Sequence, residues 1–140
     1  HREPSHPLAG ARLMHNVTQQ VRKYFDLISD GTPSVPLCKG CGVRFLPPRA
    51  LCPACGGDRL GWYDATGATG TIYSLTRMPG GKTIALAELE CVDGGGRLFA
   101  EVVGPDAAEA QIGDAVMLDV AEAETELGSR VPVLRRGASL

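Results

Sequence analysis

Apolar residues near the start of the chain recur at helical spacing, namely at Val17, Val21, Tyr24, Phe25 and Ile28. A recurrence every three or four residues places such side chains on one face of an amphipathic helix. Asn16 and Gln19 have the spacing of a capping box, and Gly31 and Pro33 mark the end of the pattern. We therefore predict an amphipathic helix and linker over residues 16–36. This helix either packs on the chain's own core or helps to dock another subunit.

From Trp62 onward, apolar and polar positions alternate, as is typical of strands. Five segments show the alternation: Thr71–Arg77, Thr83–Cys91, Arg97–Val103, Ala115–Glu122 and Val131–Arg135. The run Asp93–Gly96 predicts a turn, and Asp106–Gln111 predicts a short helical turn. Five short strands with one helical interruption favour a small antiparallel barrel over residues 62–140.

Two short cysteine-containing turns lie between the helix and the strands, and they read Cys38-Lys39-Gly40-Cys41-Gly42 and Cys52-Pro53-Ala54-Cys55-Gly56. Each turn can present two thiolates to one point, so the two turns together can surround Zn²⁺ tetrahedrally. A segment so poor in apolar residues needs a metal or covalent staple to fold. We predict a rubredoxin-like zinc ribbon over residues 37–61, with Cys38, Cys41, Cys52 and Cys55 as metal ligands. Four thiolates close the coordination sphere, which makes the metal structural.

Two other interpretations of these cysteines remain open. Cys-x2-Cys-Gly turns also hold the iron of rubredoxin-like proteins, although aromatic residues are only 5% here. Disulfides are disfavoured, because the first residues lack a hydrophobic signal-peptide core and a reducing cytoplasm is expected. The fifth cysteine, Cys91, is in phase with apolar strand residues and is predicted to be a small buried hydrophobe. No histidine follows His15, so the sequence offers Cys91 no obvious base.

Composition and charge narrow the classes of function. The 140 residues are 44% apolar and 21% charged, within the normal range for globular proteins. The net charge of −2 gives no general attraction to nucleic acid or anionic membranes. No apolar run approaches the roughly 20 residues of a membrane span. We expect a cytoplasmic protein with a flexible N-terminal arm over residues 1–15.

The order of helix, four-cysteine ribbon and small barrel resembles the zinc-ribbon plus OB-fold proteins that accompany thiolase-like enzymes. The resemblance extends over about residues 16 to 135. The matching segments are Tyr24–Gly31, Cys38–Gly42, Phe45–Arg49, Cys52–Cys55, Gly67–Thr76, Ala87–Leu89, Ile112–Val116 and Val131–Val133. The resemblance implies an OB-fold barrel and a non-catalytic subunit. That subunit docks on a thiolase, ketosynthase or aldolase acting on CoA thioesters, where it helps to form the complex or the acyl-CoA site.

Direct contact with CoA would require basic side chains for its phosphates. The candidates in or beside the ribbon are Arg44 and Arg49, of which Arg49 follows a rigid Pro-Pro pair. The others, Arg77 and Lys82, flank the connection between the first two predicted barrel strands. This connection is short for the family, which disfavours a CoA contact there. Gly94–Gly96 lacks the spacing of a phosphate-binding loop.

Other functions remain as alternatives to the accessory subunit. A nucleic-acid-binding module is the main one, since ribbons and OB barrels often bind nucleic acids. An iron-containing redox carrier is another. A stand-alone enzyme would depend on strand acids such as Glu88, Glu90 and Glu101, which solvent-facing positions explain more simply.

Overall fold

The computed structural model describes residues 19–126 and 128–136, which form one helix, seven strands and a 3₁₀ turn. In chain order they are α1 (19–29), β1 (Ser34–Cys38), β2 (Leu60–Asp64), β3 (Thr69–Arg77), β4 (Thr83–Leu89), β5 (Arg97–Val103), the 3₁₀ turn (Ala107–Glu109), β6 (Ala115–Thr125) and β7 (Gly128–Arg135). The mainly β class, with a helix, a ribbon and a five-stranded barrel, is confirmed. The predicted arm over residues 1–15 and the predicted cap at Asn16 lie outside the described residues.

The end of α1 is set by glycine. Gly31 has a positive φ of 86°, a backbone conformation that glycine adopts without strain. Its N–H donates to the carbonyl of Ile28 at 2.9 Å, and the N–H of Thr32 donates to the carbonyl of Leu27 at 2.9 Å. These two bonds form a Schellman motif, which satisfies carbonyls that the helix itself leaves open. The helix therefore ends where the sequence pattern predicts.

Strands β1 and β2 form a two-stranded antiparallel sheet in which Ser34 pairs with Asp64 and Cys38 with Leu60. The sequence pattern did not predict this sheet. Pro36 lies within the first strand and Pro33 directly before it, and proline is depleted in strands because it cannot donate to the ladder. The sheet carries the cysteine turns between its two strands.

The remaining five strands close into a barrel in the order β3-β4-β5-β7-β6. One pair departs from the predicted antiparallel arrangement, because β5 and β7 run parallel over Glu101–Val103. The chain crosses over through the 3₁₀ turn and β6 before β7 returns beside β5, which gives the two strands the same direction. All other barrel pairs are antiparallel.

One hydrophobic core joins the helix, β1 and the barrel. It includes Tyr24 and Ile28 of α1, Val35 of β1, and Ala87 and Leu134 of the barrel. Of the predicted apolar face, Tyr24, Phe25 and Ile28 therefore pack on the chain's own core, whereas Val17 lies outside the described residues. No helix within the described residues is long and apolar enough to cross a membrane.

Candidate metal centre

The first cysteine turn begins at the end of β1. The N–H of Gly42 donates to the carbonyl of Cys38 at 2.8 Å, and the N–H of Cys38 donates to the carbonyl of Val43 at 2.8 Å. Gly42 has a φ of 82°, which the tight turn requires. The N–H of Cys41 donates to Sγ of Cys38 at 3.4 Å. The turn therefore directs a backbone amide toward a sulfur that could bind a cation.

The second turn repeats this geometry. The N–H of Gly56 donates to the carbonyl of Cys52 at 2.8 Å, and the N–H of Cys52 donates to the carbonyl of Gly57 at 2.8 Å. Gly56 has a φ of 75°. Backbone amides again donate to the sulfurs. The N–H of Ala54 donates to Sγ of Cys52 at 3.3 Å, and the N–H of Gly57 donates to Sγ of Cys55 at 3.4 Å. Two equivalent turns thus offer two sulfurs each.

The four sulfurs converge with the spacing of a tetrahedral site. All four Sγ atoms lie within 4.8 Å of one another. Sγ of Cys38 is 3.6 Å from that of Cys55, and Sγ of Cys41 is 3.6 Å from that of Cys52. Four sulfurs at the Zn–S distance of about 2.3 Å would be roughly 3.8 Å apart, whereas a disulfide requires about 2.05 Å. The arrangement fits a single tetrahedral ion, and the four cysteines form no disulfide.

Backbone amides prepare two of the sulfurs for the thiolate form. The Cys41 amide is the main cause that lowers the pKa of Cys38 to about 6. The amides of Cys55 and Ala54 lower the pKa of Cys52, the former more strongly. Because a thiolate is the form that binds metal, these amides favour metal binding over free thiols.

Burial differs within each turn. Cys38 and Cys52 are almost fully buried, while Cys41 and Cys55 are exposed. Within the described residues, this is the one group of cysteine, histidine and acidic side chains close enough to hold a metal. The first sulfur of each turn faces inward and the second faces solvent, so the metal would lie at the rim of the ribbon.

Cys91 lies apart from this group, just after β4. It is partly buried, and this burial is the main cause that raises the pKa of its thiol. With Arg44 and Tyr63 it lines a cavity of about 390 Å³. A raised pKa leaves Cys91 as a neutral thiol at pH 7. The prediction placed Cys91 in a strand and buried, whereas β4 ends at Leu89 and Cys91 is only partly buried.

The four basic residues predicted for CoA fall into two groups. Arg44 lies at the ribbon end of β4, where its carbonyl accepts a hydrogen bond from the N–H of Asp93 at 2.8 Å. Arg77 lies at the opposite end, where its guanidinium donates to Oγ1 of Thr83 at 2.6 Å and to the carbonyl of Ala110 at 2.7 Å. The six residue steps along β4 between these ends span about 20 Å. One phosphate group therefore cannot contact both groups.

Each of the four has distinct surroundings. Arg44 stacks on the ring of Tyr63 with its guanidinium carbon 4.3 Å from the ring centre. Arg49 and Lys82 are exposed. Of the four, Arg49 and Lys82 are thus the freest to contact a ligand, because Arg77 and Arg44 already make contacts within the chain.

A cleft of about 520 Å³ separates the ribbon from the barrel. Phe45 and Pro47 from the ribbon side and Gly95 from the barrel side contribute to its lining, as do Arg49 and Arg97. No pattern in the sequence singled out Arg97 as a site residue. Arg97 lines this cleft because of the way the ribbon packs against the barrel. No local signal in the sequence specifies that packing.

Comparisons with known proteins agree with this architecture. Residues 35–61 match the family model described as the ChsH2 rubredoxin-like zinc ribbon domain. The solved structure named "Ltp2-ChsH2(DUF35) aldolase" contains a chain 30% identical to this one, with a TM-score of 0.69, covering 84% of this chain and 94% of that chain. A DUF35 protein of unknown function from Sulfolobus solfataricus is 14% identical, with a TM-score of 0.61, covering 93% of this chain and 94% of that one, and shows the same fold. No curated protein matches the chain.

Proposed function

This chain belongs to the DUF35 family with a ChsH2-type zinc ribbon, and on that premise we propose that it is a non-catalytic accessory subunit. In this proposal it docks on a thiolase-like, ketosynthase or aldolase enzyme that acts on CoA thioesters. The observation that carries the proposal is the similarity to a chain in the solved structure named "Ltp2-ChsH2(DUF35) aldolase". The two chains are 30% identical, and the match covers 84% of this chain. The match includes the barrel as well as the ribbon, so it extends to the surfaces that a partner could contact.

The chemistry of the described residues supports a role without catalysis. A metal held by four cysteine sulfurs has no open position for a substrate. Burial keeps the thiol of Cys91 protonated, which makes it a poor nucleophile. Of the strand acids, Glu88 pairs with Arg97 at 3.1 Å, and Glu90 accepts a hydrogen bond from Thr69. The carboxylates of Glu88 and Glu90 are therefore already engaged in contacts within the chain.

For the metal we propose Zn²⁺ bound by Cys38, Cys41, Cys52 and Cys55. The sulfur spacing supports one tetrahedral ion, and the reducing cytoplasm that we propose for this chain favours thiolates over disulfides. Bound zinc would fix the two turns to each other. Iron would fit the same four sulfurs, and the two metals differ in a simple readout. A zinc protein is colourless with one equivalent of zinc by elemental analysis, whereas an iron protein is red.

For CoA we propose that Arg49 makes the main contact from this chain. It is exposed beside the apolar cleft between ribbon and barrel. Of the other candidates, Arg44 stacks on Tyr63 and Arg77 is bonded within the chain. Lys82 is exposed at the far end of β4. In the assembled enzyme, Arg49→Ala should raise the KM for the acyl-CoA substrate, while Lys82→Ala should leave it unchanged.

The proposal is tested by capturing the tagged chain from its own cells at native level and identifying the bound polypeptides by mass spectrometry. We expect a thiolase-fold subunit in fixed stoichiometry, with acyl-CoA activity that the captured complex has and this chain alone lacks. An untagged strain controls for adherent proteins. Elution of this chain as a lone monomer would contradict the proposal.

A nucleic-acid-binding module is the second candidate, because Tyr73 and Phe99 are exposed on the barrel and aromatic rings can stack on bases. The charges around them argue against it, since Arg97 is already paired with Glu88 and the chain is acidic. A gel shift with single-stranded DNA and RNA at low salt tests it. Binding that falls steeply with salt would favour this second candidate.

A further inference from the structure

One side of the barrel exposes large apolar side chains in the middle of strands. Phe99 of β5 is 68% exposed and Tyr73 of β3 is 50% exposed. Leu86 of β4 lies between these strands and is partly buried. We call the three residues Tyr73, Leu86 and Phe99 the barrel band. Exposed apolar groups are common singly, but adjacent ones on one face mark interaction sites.

The strand register makes these residues neighbours. Leu86 is directly opposite Phe99 on one side and Ser74 on the other. The β3–β4 register shifts between Ile72 and Ser74, which makes Tyr73 the extra residue of a β-bulge. The bulge leaves Tyr73 on the outer surface beside Ser74. Neighbouring strands are about 4.8 Å apart, so the band crosses roughly 10 Å of the barrel surface.

Tyr73 is held in place by its neighbours. The guanidinium carbon of Arg97 lies 3.6 Å from the centre of the Tyr73 ring. Arg97 also forms an ion pair with Glu88 at 3.1 Å. A stacked aromatic ring loses little conformational entropy on binding, and tyrosine and arginine are enriched among residues that dominate interface energies. The bulge and this stack thus present an ordered ring to a partner.

The charges beside the band indicate the chemistry of that partner. Arg97 is already neutralised by Glu88, and on the other side of β3 Asp114 is paired with Arg136 at 2.8 Å. A phosphate-rich partner would need free basic groups beside the aromatic rings. A protein partner with an apolar recess would need no free basic groups beside the rings. The paired charges therefore favour an apolar protein surface over nucleic acid.

We propose that the barrel band is the surface by which this chain docks on its catalytic subunit, with Phe99 inserted into an apolar recess of that subunit. This inference rests on the proposed accessory function and adds the contact surface and its chemistry. The contact is dry and apolar, so its strength depends little on salt. Arg97, which stacks on Tyr73, also lines the cleft beside Arg49, so the proposed contact adjoins that cleft.

The test measures binding of purified wild-type and variant chains to the thiolase-fold subunit identified by native capture. Phe99→Asp should weaken the affinity at least about 30-fold, the loss typical of a dominant interface residue. Phe99→Leu keeps an apolar side chain and should stay within about fivefold of wild type. Met78→Asp is the matched control, because Met78 is 45% exposed but lies four residues beyond Ser74, about 13 Å along the strand direction. Thermal melts and metal content verify that each variant is folded.

The outcomes separate this inference from the proposed function. If the subunit is captured and Phe99→Asp binds it as tightly as wild type, the docking surface is wrong and the accessory function stands. If no thiolase-fold subunit is captured, both are wrong. A dimer of this chain alone that Phe99→Asp dissociates would assign the band to a second copy and overturn the inference. Binding of single-stranded nucleic acid that Phe99→Asp abolishes would overturn it as well.

Discussion

Replacement of one metal ligand should separate the metal site from the other cysteine chemistry of the chain. We consider Cys38→Ser, with Cys91→Ser as the matched control. Both residues are cysteines that end or follow a strand, and both have limited solvent exposure. Sγ of Cys38 is 3.6 Å from that of Cys55, whereas Cys91 is not a member of the four-sulfur group. Only the first substitution should affect the metal.

The size of the effect follows from the coordination. A serine hydroxyl does not ionise at pH 7, so Cys38→Ser leaves three thiolates and opens the fourth position to water. Loss of an outer-shell partner alone typically costs 10–100-fold in metal affinity. Loss of a direct ligand should therefore weaken zinc binding by at least about 100-fold. Cys91→Ser should leave the affinity within about twofold of wild type, since it changes a side chain outside the site.

The assay is zinc competition against a chromophoric chelator, together with elemental analysis of the purified proteins. Hydrogen exchange provides a second readout. In Cys38→Ser, the amides of Gly42 and Gly56 should lose protection, while those of Ala85 and Ala87 in β4 should keep theirs. Equal zinc affinity in Cys38→Ser and wild type would refute the four-sulfur site. Loss of zinc binding in Cys91→Ser would also refute the four-sulfur site.

Three further predictions concern the fold around the site. Ile28→Ala should reduce the free energy of unfolding by about 2–5 kcal/mol in denaturant melts, because Ile28 is only 1% exposed in the core shared by helix and barrel. A loss under about 0.5 kcal/mol would mean that α1 does not pack on the barrel. Burial raises the pKa of Tyr24 to about 12, so the wild type should lose about 2 kcal/mol of stability between pH 10 and 12 that Tyr24→Phe does not lose. Identical alkaline profiles would contradict this. The Gln111 amide, then Arg136, hold the pKa of Asp114 below its usual range, so its stabilisation is present above pH 4 and is lost as the pH falls through the lowered pKa. Asp114→Asn should therefore flatten the acid limb of the stability profile, and an unchanged limb would exclude this contribution.

Local patterns in the sequence were sufficient to predict the helix, the five barrel strands and the grouping of the four cysteines. The helix end at Gly31 follows from glycine's freedom at positive φ, and Gly42 and Gly56 serve the cysteine turns in the same way. These features depend on residues within a few positions of each other. The same holds for the alternation that predicted β3 to β7, since period-two burial is a property of each strand alone.

Only the tertiary structure decided which distant segments meet. The β1–β2 sheet joins residues on either side of the ribbon, and its prolines hide it from any local pattern. The separation of Arg77 from Arg44 depends on the length of β4, and the placement of Arg97 beside Arg49 depends on how ribbon and barrel pack. The bulge at Tyr73 and the exposure of Phe99 arise from strand register. Register and packing are set by many long-range contacts at once, which is why the sequence determined the four-cysteine group but not the proposed docking surface.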